Sequence, residues 1–241
     1  MKAVIAVASA LACALSLDAQ IAATLNHLPD GVDEVRIRNN SAIGLVAFVV
    51  TVRHVSQSPY SNNAPFVMYS DPLIKPATKQ LLAGEERVAM VNGFRDRSGR
   101  HLGLLEPAIA AGILADGTPV GDATLLSRLI LRRSNMLLAV ETTLEMLSDA
   151  GRRNVPRDQL IERFGKMADS VSHWYLPPEQ QVGRSLYQSI AGKLMNLPEE
   201  QAGAPFPPAA FVAQETALLR RQRVKLLESE PSLSDATLIE R

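Results

Sequence analysis

The feature that most constrains this 241-residue chain is a change of hydrophobic period at Asp122. Upstream, apolar residues come in short, partly alternating runs broken by Gly, Pro, Asn and Ser. Downstream they recur every three or four residues. A period of two lines one face of a strand, and a period of 3.6 lines one stripe of a helix. The chain therefore predicts a segregated α+β fold. An N-terminal antiparallel β-sandwich spans 30–122, a helical region of three to four helices in a hairpin or bundle spans 123–230, and 231–241 is a loose tail.

In the first part, Val35 and Ile37 read as a strand running into the polar turn Asn39-Asn40-Ser41. Ile43–Val55 is the longest strand. Val46, Phe48, Val50 and Val52 are expected on one face, with Ala47, Val49, Thr51 and Arg53 on the other. Because its early half is apolar on both sides, it reads as a central strand covered twice. Further strands are expected at 65–69, at 88–91 after a turn at Gly84-Glu85-Glu86, and at 108–115 before the turn signal Asp116-Gly117. No helical pattern separates them, which disfavours a parallel sheet.

The helical part begins with Asp122 as N-cap and Gly151 as expected stop. Between them, positions 126, 130, 133, 137, 140, 144 and 147 form the seam, all apolar except Arg133. Such a helix of about 28 residues extends roughly 40 Å. A guanidinium there must either reach water or meet an acid, and Arg133 is expected near the edge of the contact, its stem packed on apolar surface. A second helix starts near Pro156, with a seam of Leu160, Phe164, Met167, Val171 and Trp174. A third carries Val182, Leu186, Ile190 and Leu194 and stops near Asn196, and a fourth covers 209–228. Trp174-Tyr175, beside His173, are expected to cap the core at the end of the second helix.

Lys2 followed by the apolar run Ala3–Leu17 and then Leu17-Asp18-Ala19 has the layout of a secretory signal peptide over 1–19. Fifteen residues are short for a spanning helix, which needs about 20. Cleavage after Ala19 removes Cys13, the only cysteine, and with it any disulfide, thiolate nucleophile or Cys-ligated zinc. The alternative use of Cys13 is as the acylated first residue of a lipoprotein.

The chemistry-bearing signals are sparse. Lys+Arg and Asp+Glu are balanced at 25 each, which gives no bulk charge for nucleic acid. No Gly-x-Ser-x-Gly elbow, Ser-x-x-Lys, phosphate loop or dinucleotide fingerprint occurs. His27, His54, His101 and His173 share no metal-ligand spacing, and Asp116-Gly117-Thr118 with Asp122 falls short of a calcium loop. The expectation is no metal and no cofactor. Two cationic features stand out. Arg95, Arg97, Arg100 and His101 crowd the loop 92–103, a candidate anion-binding loop. Arg220-Arg221-Gln222-Arg223-Val224-Lys225 lies on the last helix, where Glu215 and Glu228 are within reach, and reads as a solvated face.

Val35-Arg36-Ile37-Arg38-Asn39-Asn40-Ser41 entering a β run, and Ala111-Gly112-Ile113-Leu114-Ala115-Asp116-Gly117-Thr118 leading into a long Arg-rich helix, follow the export signal. In this layout residues 30–150 resemble uncharacterised exported bacterial proteins with an Ig-like or fibronectin-III-like sandwich followed by a helical segment. The resemblance implies an Ig-like build for 30–122 and an exported compartment, and it implies no activity or site residue. The disulfide pair and strand tryptophan of antibody domains are missing.

These readings lead to an exported, non-enzymatic interaction or structural protein of the bacterial cell envelope, periplasmic or extracellular. Its partner would be another envelope protein, with no nucleic acid and no transmembrane span after signal cleavage. Two alternatives are an envelope hydrolase drawing on His54, Arg95, His101, Glu106 and Asp116, and anionic-ligand binding through the 92–103 loop. N-terminal sequencing of the exported protein is expected to start at Gln20. A start at an acylated Cys13 would indicate a lipid-anchored protein, and a full-length cytoplasmic chain would remove the basis for export.

Overall fold

Strands precede helices, as the period change predicts. The computed structural model describes residues 21–27, 32–55, 66–92, 104–173, 176–198 and 206–229. Among them are seven strands: β1 (Ile21–His27), β2 (Val32–Asn39), β3 (Leu45–Val55), β4 (Phe66–Ser70), β5 (Glu86–Asn92), β6 (Leu104–Leu114) and β7 (Pro119–Gly121). They form two sheets, ordered β1-β2-β5 and β4-β3-β6-β7, with every pairing antiparallel. Four helices follow: α1 (Ala123–Arg153), α2 (Arg157–Ser170), α3 (Arg184–Met195) and α4 (Ala209–Glu228). No helix among the described residues is long and apolar enough to cross a membrane.

One apolar cluster draws Ile21, Val35 and Ile37 from the first sheet and Leu45, Phe48, Val50 and Ile109 from the second. The opposite face of the second sheet carries Ala47, Val49, Ala111 and Ile113, which pack with Leu129 of α1. Central strand β3 is thus covered on both sides, as its sequence implies. Its face assignment needs one correction. The pairing of β3 with β6 shifts between Leu45 and Ala47, so Val46 is an extra residue. A bulge reverses the alternation. Val46 therefore lies against the helix-side cluster, and Leu45 takes the place expected for it beside Phe48. Gly112 of β6 allows this close approach: a Cβ there would meet Leu45 Cδ1 at 2.7 Å. Strand β1 is not among the sequence expectations. Alanines dilute its alternation, although Ile21, Ala23 and Leu25 do pack inward.

Asp122 caps α1 as expected, its carboxylate accepting from the Leu125 N–H at 2.9 Å. The expected stop at Gly151 does not occur. The helix continues to Arg153 and ends where Asn154 adopts φ 49°, a left-handed conformation that asparagine tolerates. The buried stripe is also rotated from the expected seam. Arg133, Val140 and Leu147 are shared, but Leu129, Met136, Thr143 and Ala150 complete it, while Ile130, Leu137 and Leu144 are only partly buried. The rotation follows from α1 having two neighbours, the second sheet at its start and the other helices further along. Thr143 is tolerated inside because its hydroxyl donates to the Ala139 carbonyl at 2.8 Å. Gly183, just before α3, lets that helix close on α1: a Cβ there would lie 2.8 Å from the Ala139 Cβ.

Helices α1 to α4 share a core containing Met136, Val140, Phe164, Ile190, Leu219 and Leu226. Ile74, from the β4–β5 connection, joins it. Trp174 and Tyr175 lie outside the described residues, as do the signal-peptide segment and the tail.

Arg133 is the main correction. It is not at an edge: it is 2% exposed and pairs with the equally buried Asp71. Its Nε donates to Asp71 Oδ2 at 2.7 Å, and a terminal nitrogen donates to the Ser229 carbonyl at 3.0 Å. Asp71 from the strand region and the Ser229 carbonyl at the end of α4 enclose the guanidinium and take the place of water. By contrast, the exposed pairs Arg152–Asp149 and Lys166–Glu162 are screened by water and contribute little. Replacing Arg133 by Ala is expected to destabilise the protein by about 3–5 kcal/mol, since Asp71 is left buried without its cation. Arg133→Leu is expected to have the same sign. Urea unfolding checks both, and a cost below about 1 kcal/mol would mean the pair is not closed in solution.

Candidate functional site

A cleft of about 1040 Å³ lies between the strand region and the helices. This lies at the upper end of the usual range for ligand sites, about 300–1,000 Å³. One side is formed by Val46, Ile113 and the β6–β7 turn at Asp116-Gly117, together with Pro72 and Leu73. The other side is formed by Leu186 and Ile190 of α3 and by Leu218 and Leu219 of α4.

Helix α4 builds its side through two adjacent stripes. Glu215, Leu219 and Leu226 are buried, whereas Leu218, Arg221 and Lys225 are exposed along the cleft. The spacing of three and four residues makes this division automatic on a helix. Gln222 ties α4 to the strand region by donating to the Leu73 carbonyl at 2.9 Å. Arg133 lies at the base of the cleft with its charge committed to Asp71.

At one end, Lys193 of α3 spans Glu215 of α4, with Nζ 2.8 Å from both carboxylate oxygens. Glu215 is only 5% exposed, so this lysine compensates a carboxylate largely removed from water. The sequence reading grouped Glu215 with the cations of its own helix, but it pairs across helices. Arg223 likewise leaves that group to bond Glu141 of α1 at 2.8 Å. Arg221 and Lys225 have no acidic partner among the described residues. The cleft therefore offers an apolar surface edged by two uncommitted cations. Among the described residues its lining contains neither His nor Cys.

A second polar cluster stands where β4, α1 and the turn before α3 meet. The Tyr69 hydroxyl donates to Glu179 Oε1 at 2.8 Å, and the Arg132 guanidinium lies 4.3 Å from the centre of the Tyr69 ring. Arg132 also donates to the Pro178 carbonyl at 3.1 Å, and Asn135 to the Glu179 carbonyl at 3.0 Å. Burial lowers the pKa of Arg132 from its ordinary value. The arrangement clamps the strand region to the helices. Arg128, one turn before Arg132 on α1, brings its Nε to 3.9 Å from Glu179 Oε1, and that acid is too far along the chain for local spacing to reveal the cluster.

Of the candidate residues, Arg95, Arg97, Arg100 and His101 lie outside the described residues, as does the side chain of His54. Glu106 and Asp116 are exposed and do not come together. Glu106 lines a depression of about 400 Å³ beside Arg53 and Asp122, whereas Asp116 is on the main cleft. The Asp116 carboxylate accepts from the Thr118 N–H at 2.9 Å, which lowers its pKa and supports the reading of this segment as a turn. No group of three or more His, Cys, Asp or Glu among the described residues is arranged to hold a metal ion.

Burial raises the pKa of the Tyr69 phenol above its ordinary 10.0, and its hydrogen bond to Glu179 adds to the effect. The folded state therefore holds this proton more tightly than the unfolded chain does. That contribution to stability is complete below about pH 10 and is lost as pH rises through the folded value. Spectrophotometric titration is expected to show late-titrating phenols, Tyr69 and the similarly raised Tyr187. Tyr69→Phe is expected to remove one of these and part of the alkaline loss of stability.

With this geometry established, comparison with known proteins finds no matching family model, no matching curated protein and no matching solved structure.

Proposed function

We propose that this chain is an exported, non-enzymatic interaction module of the bacterial cell envelope that binds in the cleft between its strand and helical regions. The reading takes the two sheets as an Ig-like sandwich and the four helices as a bundle docked on it. Apolar residues shared between the sheets support the first, and the core shared by the helices supports the second. Export rests on Lys2 and the apolar run Ala3–Leu17.

The observation that carries the reading is the cleft itself. About 1040 Å³ of space lies between the strand region and the helices, lined in part by apolar side chains from both. Such a surface supplies binding energy through burial, at about 25 cal/mol per Å² of apolar area covered. Among the described residues of its lining, Ser189 and Ser229 stand without a histidine. Binding is thus the activity its residues support, with another envelope protein as the partner.

Ser189 is an exposed position on α3 that faces the cleft, so Ser189→Trp fills the space without entering the core. Tagged wild-type protein is expected to recover a specific partner from envelope fractions, and Ser189→Trp is expected to lose it at unchanged melting temperature. Equal recovery by both proteins, or a monomer that recovers nothing, would overturn the proposal.

A further inference from the structure

The charges along the cleft narrow what it can hold. Arg133 is matched by Asp71, and Lys193 by Glu215, so neither attracts a ligand. Asp116 is turned into its own loop by the Thr118 N–H. Glu228, three residues beyond Lys225, marks the end of the cationic stretch toward the end of α4. What remains is Arg221 and Lys225, one helical turn apart on one wall, beside the exposed Leu218. Leu186 of α3 stands on the same side, and Leu73 lies across the space.

We propose that the cleft binds a single-chain amphiphile with an anionic end group, its chain along Leu73, Leu186 and Leu218 and its anion between Arg221 and Lys225. This rests on the reading of the cleft as the site where an envelope partner engages, and it specifies the group that enters: an acyl-type chain with an anionic end that the partner would carry or deliver. Both halves of such a molecule are served at once. Covering the apolar wall removes area from water on protein and ligand alike, and the anion meets two cations that have no acidic partner to give up among the described residues. A purely polar anion would leave the apolar wall wet. A cationic amphiphile of the same length would meet Arg221 and Lys225 with like charge. The sequence reading treated the cationic run of α4 as one solvated face. The structure divides it, with Arg221 and Lys225 on the cleft and Arg223 committed to Glu141.

The test is calorimetric titration of the full mature chain with decanoate, acetate and decyltrimethylammonium, alongside sedimentation with anionic phosphatidylglycerol vesicles. Decanoate is expected to bind saturably at one site, decyltrimethylammonium at least tenfold more weakly, and acetate not at all. The double variant Arg221→Ala/Lys225→Ala is expected to weaken decanoate at least tenfold with an unchanged melt, whereas Arg220→Ala, outside the cleft, changes nothing. Equal affinity for the two amphiphiles, no effect of the double variant, or no saturable uptake of decanoate would overturn the proposal. Vesicle binding without uptake of monomeric decanoate would overturn it too, by assigning the cations to a membrane surface. If decanoate fails while Ser189→Trp still abolishes partner recovery, only the ligand class is wrong. If both fail, the cleft is not a binding site.

Discussion

Everything around the cleft depends on an ion pair that has no access to water. Arg133 of α1 meets Asp71 at the end of β4 and also bonds the Ser229 carbonyl at the end of α4. Asp71 organises its own turn as well: its carboxylate accepts from the Leu73 N–H, and its carbonyl accepts from the N–H groups of Ile74 and Lys75. One guanidinium therefore fixes a connection from the strand region, the longest helix and the end of the last helix relative to one another. Removing two charges from water costs several kcal/mol each, and the fold offsets this only by satisfying both groups with close hydrogen bonds. The arrangement holds only when all three segments are in place.

That constraint explains why a cleft exists at all. Gln222 bonds to Leu73, and Ile74 enters the helical core, so the β4–β5 connection is held against the helices at one level. On another side of α1, Tyr69, Glu179, Arg132 and Asn135 hold β4 to the turn before α3. Between these attachments, α3 and α4 do not close onto the β6–β7 turn. The space there is bounded by polar joints that cannot slide without stranding buried groups. A purely apolar contact could have adjusted to close the gap.

The candidate site was only partly legible in sequence. The cationic run on α4 was visible, and so was its helical setting. Which of its members stay free was not, because Arg223 finds Glu141 some eighty residues earlier, and Glu215 finds Lys193 on another helix. The Arg133–Asp71 pair spans 62 residues in sequence, and the lone charge on an apolar seam was its one outward sign. An aspartate in a loop carries no mark that it will be buried.

What the sequence determined by itself was local. Period two before Asp122 and 3.6 after it dictate strands followed by helices, because side-chain direction follows directly from backbone geometry. Asp122 as cap, the extent of α4 and the double-sided burial of β3 are of the same kind, each set by a few neighbouring residues. Tertiary structure alone decided the rest. The bulge at Val46 exchanges which residue faces which layer, and the buried stripe of α1 turns toward two neighbours at once. Arg133 sits inside because its partner arrives from the β4–β5 connection. These outcomes depend on the separation and shape of elements far apart in the chain, and no local spacing encodes those distances.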